Sequence, residues 1–135
     1  MVTVLFACVQ NAGRSQMAAG FFQALADPAR ARAISAGTRP ADRVNPIVVE
    51  AMREAGIDVS AETPRPLTAE LARTARWLIT MGCGDECPMV PCVTREDWPL
   101  EDPAGQPIER VRAIRDEIRG RVQAFLDREQ LRPSS

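Results

Sequence analysis

The stretch Val2-Thr3-Val4-Leu5-Phe6-Ala7-Cys8-Val9-Gln10-Asn11-Ala12-Gly13-Arg14-Ser15-Gln16-Met17-Ala18 decides how this chain is read. Val2 to Ala7 is apolar and rich in β-formers, which predicts a buried strand. Asn11-Ala12-Gly13 breaks it. Ser15 is placed to cap a helix running to about Leu25, with Met17, Ala18, Phe21, Phe22 and Leu25 on one face. Asp27-Pro28 ends that helix. A strand, a short loop and a helix in this order are the opening unit of an α/β sheet.

The pattern continues outward. Ala33 to Ala36 predicts a short strand closed by Gly37. Asn45-Pro46 pairs a favoured N-cap with proline at the first helical position, and the helix ends near Ala55 with Gly56 in the C-terminal position. Val48, Val49 and Met52 are its core face. Thr68 predicts the cap of a short helix to about Arg73, and Trp77 to Met81 a second buried strand. Gly82 to Pro91 reads as a loop or a single helical turn. A short strand near Trp98 precedes the turn Asp102-Pro103-Ala104-Gly105. Ile108, Val111, Ile114, Ile118, Val122 and Phe125 lie on one stripe at spacings of 3 and 4, which predicts a helix from about Pro107 to Leu126. Its arginines, Arg110, Arg112, Arg115, Arg119 and Arg121, are expected on a solvated face paired with Glu109, Asp116 and Glu117. The Met17 and Met52 positions read as core, and Trp77 and Trp98 as core or sheet edge. Alternating strands and helices give a βαβα order with a mostly parallel sheet. One domain is expected over residues 1–131, with a frayed tail over 132–135.

Composition narrows the chemistry. The 135 residues suit one compact domain. There is no histidine, so a Ser-His or Cys-His pair and an imidazole metal ligand are excluded. All 17 positive charges are arginine, which excludes a Walker-type phosphate loop and a Schiff-base lysine. Net charge is −1 with no long run of like charge, against broad nucleic-acid binding. The longest apolar run, Val2 to Val9, is too short to span a bilayer and lacks the flanks of a secretory signal. A cytoplasmic protein is expected, in which Cys8, Cys83, Cys87 and Cys92 stay reduced and are more often reactive or metal-binding than structural.

In an open α/β sheet, ligands bind outside the carboxyl ends of the strands. The first such loop places Cys8 at the strand end, Arg14 six residues on, and the Ser15 hydroxyl at the helix start. The backbone of Val9, Gln10, Asn11, Ala12 and Gly13, continued by Arg14 and Ser15, can curl so that its N–H groups form an anion nest, reinforced by the helix macrodipole. Arg14 can grip two oxygens of a tetrahedral oxyanion. Cys8 would lie beneath that anion as a thiolate favoured by the same groups, a nucleophile that needs no histidine. The plain alternative, a buried small Cys8 and a surface Arg14, is outweighed by the strand before the loop and the helix after it. Asn11 is suited to hold the loop's shape through backbone hydrogen bonds.

Val4 to Cys8, followed by Arg14-Ser15-Gln16-Met17-Ala18, resembles the signature loop of the low-molecular-weight protein tyrosine phosphatase fold family, and Asn11 to Ala18 resembles its arsenate reductase branch. Further matches are Ser35-Ala36-Gly37, Val44-Asn45-Pro46, Thr80 to Pro88, Trp98 and Asp102 to Gly105. The resemblance covers nearly the whole chain. It implies a single three-layer α/β domain, a four-stranded parallel sheet with helices on both faces. It implies reduction of arsenate to arsenite, with phosphate and sulfate as mimics of the substrate, and regeneration by thioredoxin. It further implies Asp102 as the acid that protonates the leaving oxygen, and Cys83 and Cys87 as resolving thiols of a three-cysteine relay. No metal or organic cofactor is expected, and the chain is expected to be monomeric.

Departures and rivals stand beside this. The phosphatase branch follows its Asp-Pro with aromatic residues that stack on phosphotyrosine; this chain has Ala104-Gly105 and no tyrosine at all. Where some relatives bind potassium through an acidic residue on the first helix, this chain has Ala18-Ala19. Cys83, Cys87 and Cys92 could instead offer three thiolates to zinc, although structural zinc sites more often use paired knuckles. A phosphomonoester phosphatase and a reductase using a small thiol such as mycothiol are the competing functions. Cys92 fits neither relay position.

Overall fold

The computed structural model describes residues 1–82 and 93–133. Four strands form one sheet: β1 (Val2–Cys8), β2 (Ala31–Gly37), β3 (Trp77–Thr80) and β4 (Thr94–Asp97). Their order is β2-β1-β3-β4 and every pairing is parallel. The register runs from Val2 opposite Ala31 to Cys8 opposite Gly37, and from Val4 opposite Trp77 to Ala7 opposite Thr80. The helices are α1 (Arg14–Leu25), α2 (Pro46–Glu54), α3 (Ala69–Arg73) and α4 (Ile108–Arg128). The expected three-layer α/β architecture is therefore what this sequence forms.

Side chains alternate across a strand, so β1 feeds both faces of the sheet. Val4, Phe6 and Cys8 join the larger core with Met17, Phe22, Met52, Ile118 and Phe125 from α1, α2 and α4. Leu5 and Ala7 join a smaller cluster on the other face with Ala36, Leu78 and Ala72 of α3. Such burial on both faces explains why β1 reads as a continuous apolar run. Trp77 and Trp98 meet Phe125 edge-on, at 5.1 and 6.2 Å between ring centroids. The edge strand β4 carries Arg95, Glu96 and Asp97, charges that discourage pairing with another chain.

Three details differ from the sequence reading. The helix α1 begins at Arg14 with Gly13 as its N-cap and no capping side chain, so Ser15 lies inside the first turn. The strand β4 ends just before Trp98. The α4 arginines reach beyond their own helix: Arg112 and Arg115 both pair with Glu54 of α2, Arg110 pairs with Glu101, and Arg119 lies over the Phe21 ring. Only the Arg115–Asp116 and Arg121–Glu117 pairs stay within α4. The predicted caps Asn45 and Thr68 are in place, accepting from the N–H groups of Ile47 and Leu71. In the tail, Arg132 pairs with Asp127; residues 134–135 lie outside the described residues. Among the described residues no helix is long and apolar enough to cross a membrane.

Candidate active site

The strand order turns back at β1. Its two neighbours, β2 and β3, come later in the chain and lie on opposite sides of it, so the crevice beyond the carboxyl ends of β1 and β3 is the topological switch point. Cys8 ends β1 there, 2% exposed, with a free thiol. Gly82 lies on the other side of the crevice, just past the end of β3.

The loop between β1 and α1 is held by its carbonyl oxygens. Cys8 O accepts from Thr38 N–H, Val9 O from Arg39 N–H, Gln10 O from Ala41 N–H and Ala12 O from Asn45 N–H. Asn11 O accepts from the side-chain Nε2 of Gln16 at 3.1 Å, and Gly13 O from Met17 N–H inside the helix. In a trans peptide the N–H points opposite to the C=O. Each N–H from Val9 to Arg14 therefore points away from the donor that holds the carbonyl before it, and Gln10, Ala12, Gly13 and Arg14 are the loop residues that line the recess. None of the N–H groups from Val9 to Ser15 has a hydrogen-bond acceptor among the described residues. The collar that supplies four of the six donors is the segment after β2. It can come this close because position 37 is glycine: a Cβ there would lie 2.5 Å from Val9 O.

Beneath the loop runs a directed chain of side chains. Asn11 is fully buried and left-handed, with φ of +52°. Its Oδ1 accepts from Arg65 N–H at 3.1 Å, which leaves Nδ2 to donate to Ser15 Oγ at 2.7 Å. The Ser15 hydroxyl lies 2.9 Å from Cys8 Sγ. With its oxygen taken by Asn11, its proton is available to the sulfur. Ser15 therefore serves the cysteine and not the helix end.

Arg14 is 8% exposed. Its Nη1 donates to Leu100 O at 3.3 Å and its Nη2 lies 3.7 Å from Asp102 Oδ2. Gly82 has φ of +101°, and a Cβ on it would lie 2.2 Å from Arg14 Nη1, so the absence of a side chain makes room for the guanidinium. Asp102 is held by its own turn, Oδ1 accepting from Ala104 N–H at 3.0 Å, and its side chain is 56% exposed. Cys8, Gln10, Ala12, Gly13 and Arg14 form one wall of a small recess, and Asn45, Asp102, Pro103 and Ala104 the other. No aromatic side chain among the described residues lines it. A larger cleft of about 510 Å³ lies between α1 and residues 57–65. It includes Gln16 but none of Cys8, Arg14 and Asp102, so size does not locate the chemistry.

The structure thus brings together Cys8, the loop from Val9 to Ser15, Arg14 and Asp102. Cys83 and Cys87, and the rival zinc reading with Cys92, fall outside the described residues. Sequence reasoning missed Gln16, Arg65, Gly82 and the collar donors Thr38, Arg39 and Ala41. Those three collar residues act through backbone N–H groups and have no residue signature. Only Gln16, three residues past the N-cap, stands where a side chain commonly turns back on a helix start.

Fold and recess together define an α/β protein with a small recess between the β1–α1 loop and the Asp102 turn and a buried cysteine in its lining. The chain belongs to the low molecular weight phosphotyrosine protein phosphatase family, which it matches over residues 3–134. It is 42% identical over 130 residues to a Halobacterium salinarum protein provisionally named an arsenate reductase, covering 90% of this chain and 89% of that one. Among solved structures it is similar to a thioredoxin-dependent arsenate reductase of Corynebacterium glutamicum, with TM-score 0.83 and 38% identity. That match covers 96% of this chain, which spans only 62% of the Corynebacterium protein. A second structure, an arsenate reductase in the phosphate binding state, superposes with TM-score 0.80 and 34% identity over 95% of this chain and 98% of its own.

Proposed function

We propose that this chain reduces arsenate to arsenite at Cys8, with thioredoxin as the external reductant. The observation that carries the reading is the cradle: consecutive N–H groups without acceptors among the described residues, beside a cysteine and flanked by Arg14 and Asp102. Arsenate and phosphate have the same shape and charge, and a similar arsenate reductase has a phosphate binding state.

The anion enters with three oxygens on the N–H groups and Arg14. The loose Arg14–Asp102 pair, at 3.7 Å, is exchanged for the stronger bidentate grip on the oxyanion. Cys8 thiolate attacks arsenic, a sulfur–arsenic bond forms as the bond to the hydroxyl of hydrogen arsenate breaks, and that hydroxyl departs as water, taking its second proton from Asp102. Cys83 thiolate then attacks Cys8 Sγ. The sulfur–arsenic electron pair passes to arsenic, which leaves as arsenite, reduced by two electrons, while a Cys8–Cys83 disulfide records the oxidation. Cys87 thiolate attacks Cys83, freeing Cys8 as thiolate and leaving a Cys83–Cys87 disulfide, and a thioredoxin dithiol reduces that disulfide by exchange. The recess has no aromatic lining among the described residues, which disfavours an aryl phosphate as its substrate.

The test is arsenate-dependent NADPH oxidation with thioredoxin and thioredoxin reductase, phosphate replacing arsenate as the control. Turnover with arsenate alone is expected, lost in Cys8→Ser and in Cys83→Ser. Turnover that persists in Cys83→Ser would overturn Cys83 as the attacking sulfur and point to another thiol in the assay, Cys87 or that of thioredoxin. Hydrolysis of a phosphomonoester without arsenate turnover would make the chain a phosphatase.

A further inference from the structure

We infer that Gln16 is a positioning residue for the oxyanion cradle: its side-chain amide donates to the Asn11 carbonyl and so holds the Ala12 N–H aimed at the bound anion. The inference rests on the cradle reading above and assigns a part in it that no motif shows. Of the six loop carbonyls, five are fixed by backbone N–H groups and only Asn11 by a side chain. A single substitution can therefore release this peptide and no other.

Gln16 is 3% exposed and stands at the third position of α1. Gln there ordinarily turns its oxygen back to accept from the N-cap N–H. Here the Asn11 carbonyl can only accept, so Nε2 faces it and the amide works as a donor. Gly13 N–H, the group a usual capping glutamine would take, stays without an acceptor among the described residues. The arrangement gives up a helix cap and keeps two N–H groups, those of Ala12 and Gly13, for the ligand. It also steadies the left-handed Asn11, whose side chain runs on to Ser15 and Cys8.

The test uses inorganic phosphate as the probe and reads alkylation of the Cys8 peptide by iodoacetamide, quantified by mass spectrometry. Gln16→Met keeps the volume and removes the donor. Phosphate at half-protection is expected to rise about tenfold, the loss of roughly one charge-assisted hydrogen bond. Gln16→Glu is its own control: an ionised carboxylate cannot donate and a protonated one can. Its deficit relative to the original chain is expected at pH 8 and should shrink as pH falls and the buried carboxyl takes up a proton. A merely structural role would leave this pH dependence absent. Half-protection within twofold of the original in Gln16→Met, or a Gln16→Glu deficit unchanged with pH, would overturn the inference. Should phosphate fail to protect Cys8 even in the unsubstituted chain, the cradle itself and the function proposed above fall with it.

Discussion

At the scale of single residues, the site depends on what is absent as much as on what is present. Gly82 makes the point: its φ of +101° and its contact with Arg14 leave no place for a methyl group. Alanine there is expected to cost about 1–3 kcal/mol in backbone strain. Arg14, as the flexible partner, must also swing aside. Phosphate affinity, measured by isothermal titration, should then fall about 10- to 100-fold, the range spanned by losing charge-assisted hydrogen bonds. Unchanged affinity in Gly82→Ala would mean that Arg14 does not hold the anion. Cys8, Arg14 and Asp102 were legible as candidates because nucleophile, cation and Asp-Pro turn each have a residue signature. Gly82 read only as a strand terminator, since its reason for being glycine is an arginine 68 positions earlier. Ser15 was legible as a polar residue at a helix start; its job was not, because capping and bonding a thiol use the same hydroxyl.

At the scale of elements, the helices were legible from caps in α2 and from periodicity in α4, and their partners were not. The arginines of α4 looked like a self-paired solvated face. Packing of α4 beside α2 instead brings Arg112 and Arg115 to Glu54, with Arg112 bidentate at 2.9 and 2.8 Å. Those hydrogen bonds, Arg112 first, lower the Glu54 carboxyl from the usual 4.5 to about 2. A carboxyl lowered in the folded state stabilises the fold above its unfolded pKa and loses that contribution as pH falls through the folded one. Glu54→Gln should therefore be less stable than the unsubstituted chain at pH 7, with the difference in urea midpoint shrinking between pH 4.5 and 2. The effect should be modest and reduced by salt, because the pair is partly exposed. A difference that stays constant from pH 7 to pH 3 would show that Glu54 acts through packing and not through its charge.

At the scale of the whole molecule, four separate stretches of chain meet at one crevice: the loop after β1, the collar after β2, Gly82 after β3 and the Leu100–Ala104 turn. The parallel sheet makes this convergence unavoidable, since all four strands point the same way. The first and last stretches carried motifs. The collar did so only at its far end, in Asn45-Pro46, because any residue but proline can lend an N–H. A site assembled from the whole fold should couple ligand binding to global stability. An anion at a hundredfold excess over its dissociation constant adds about 2.7 kcal/mol to the folded state. For a domain of this size that raises the melting temperature by roughly 10 °C. Phosphate is therefore expected to raise the melting temperature in a saturable way, and Cys8→Ser should keep the shift because the cradle N–H groups remain. Arg14→Ala should lose most of it. Phosphate also stabilises proteins weakly by exclusion from their surface, an effect that does not saturate and does not depend on Arg14. A shift of equal size in Arg14→Ala would assign the stabilisation to that general effect and remove the argument that these four stretches form one anion site.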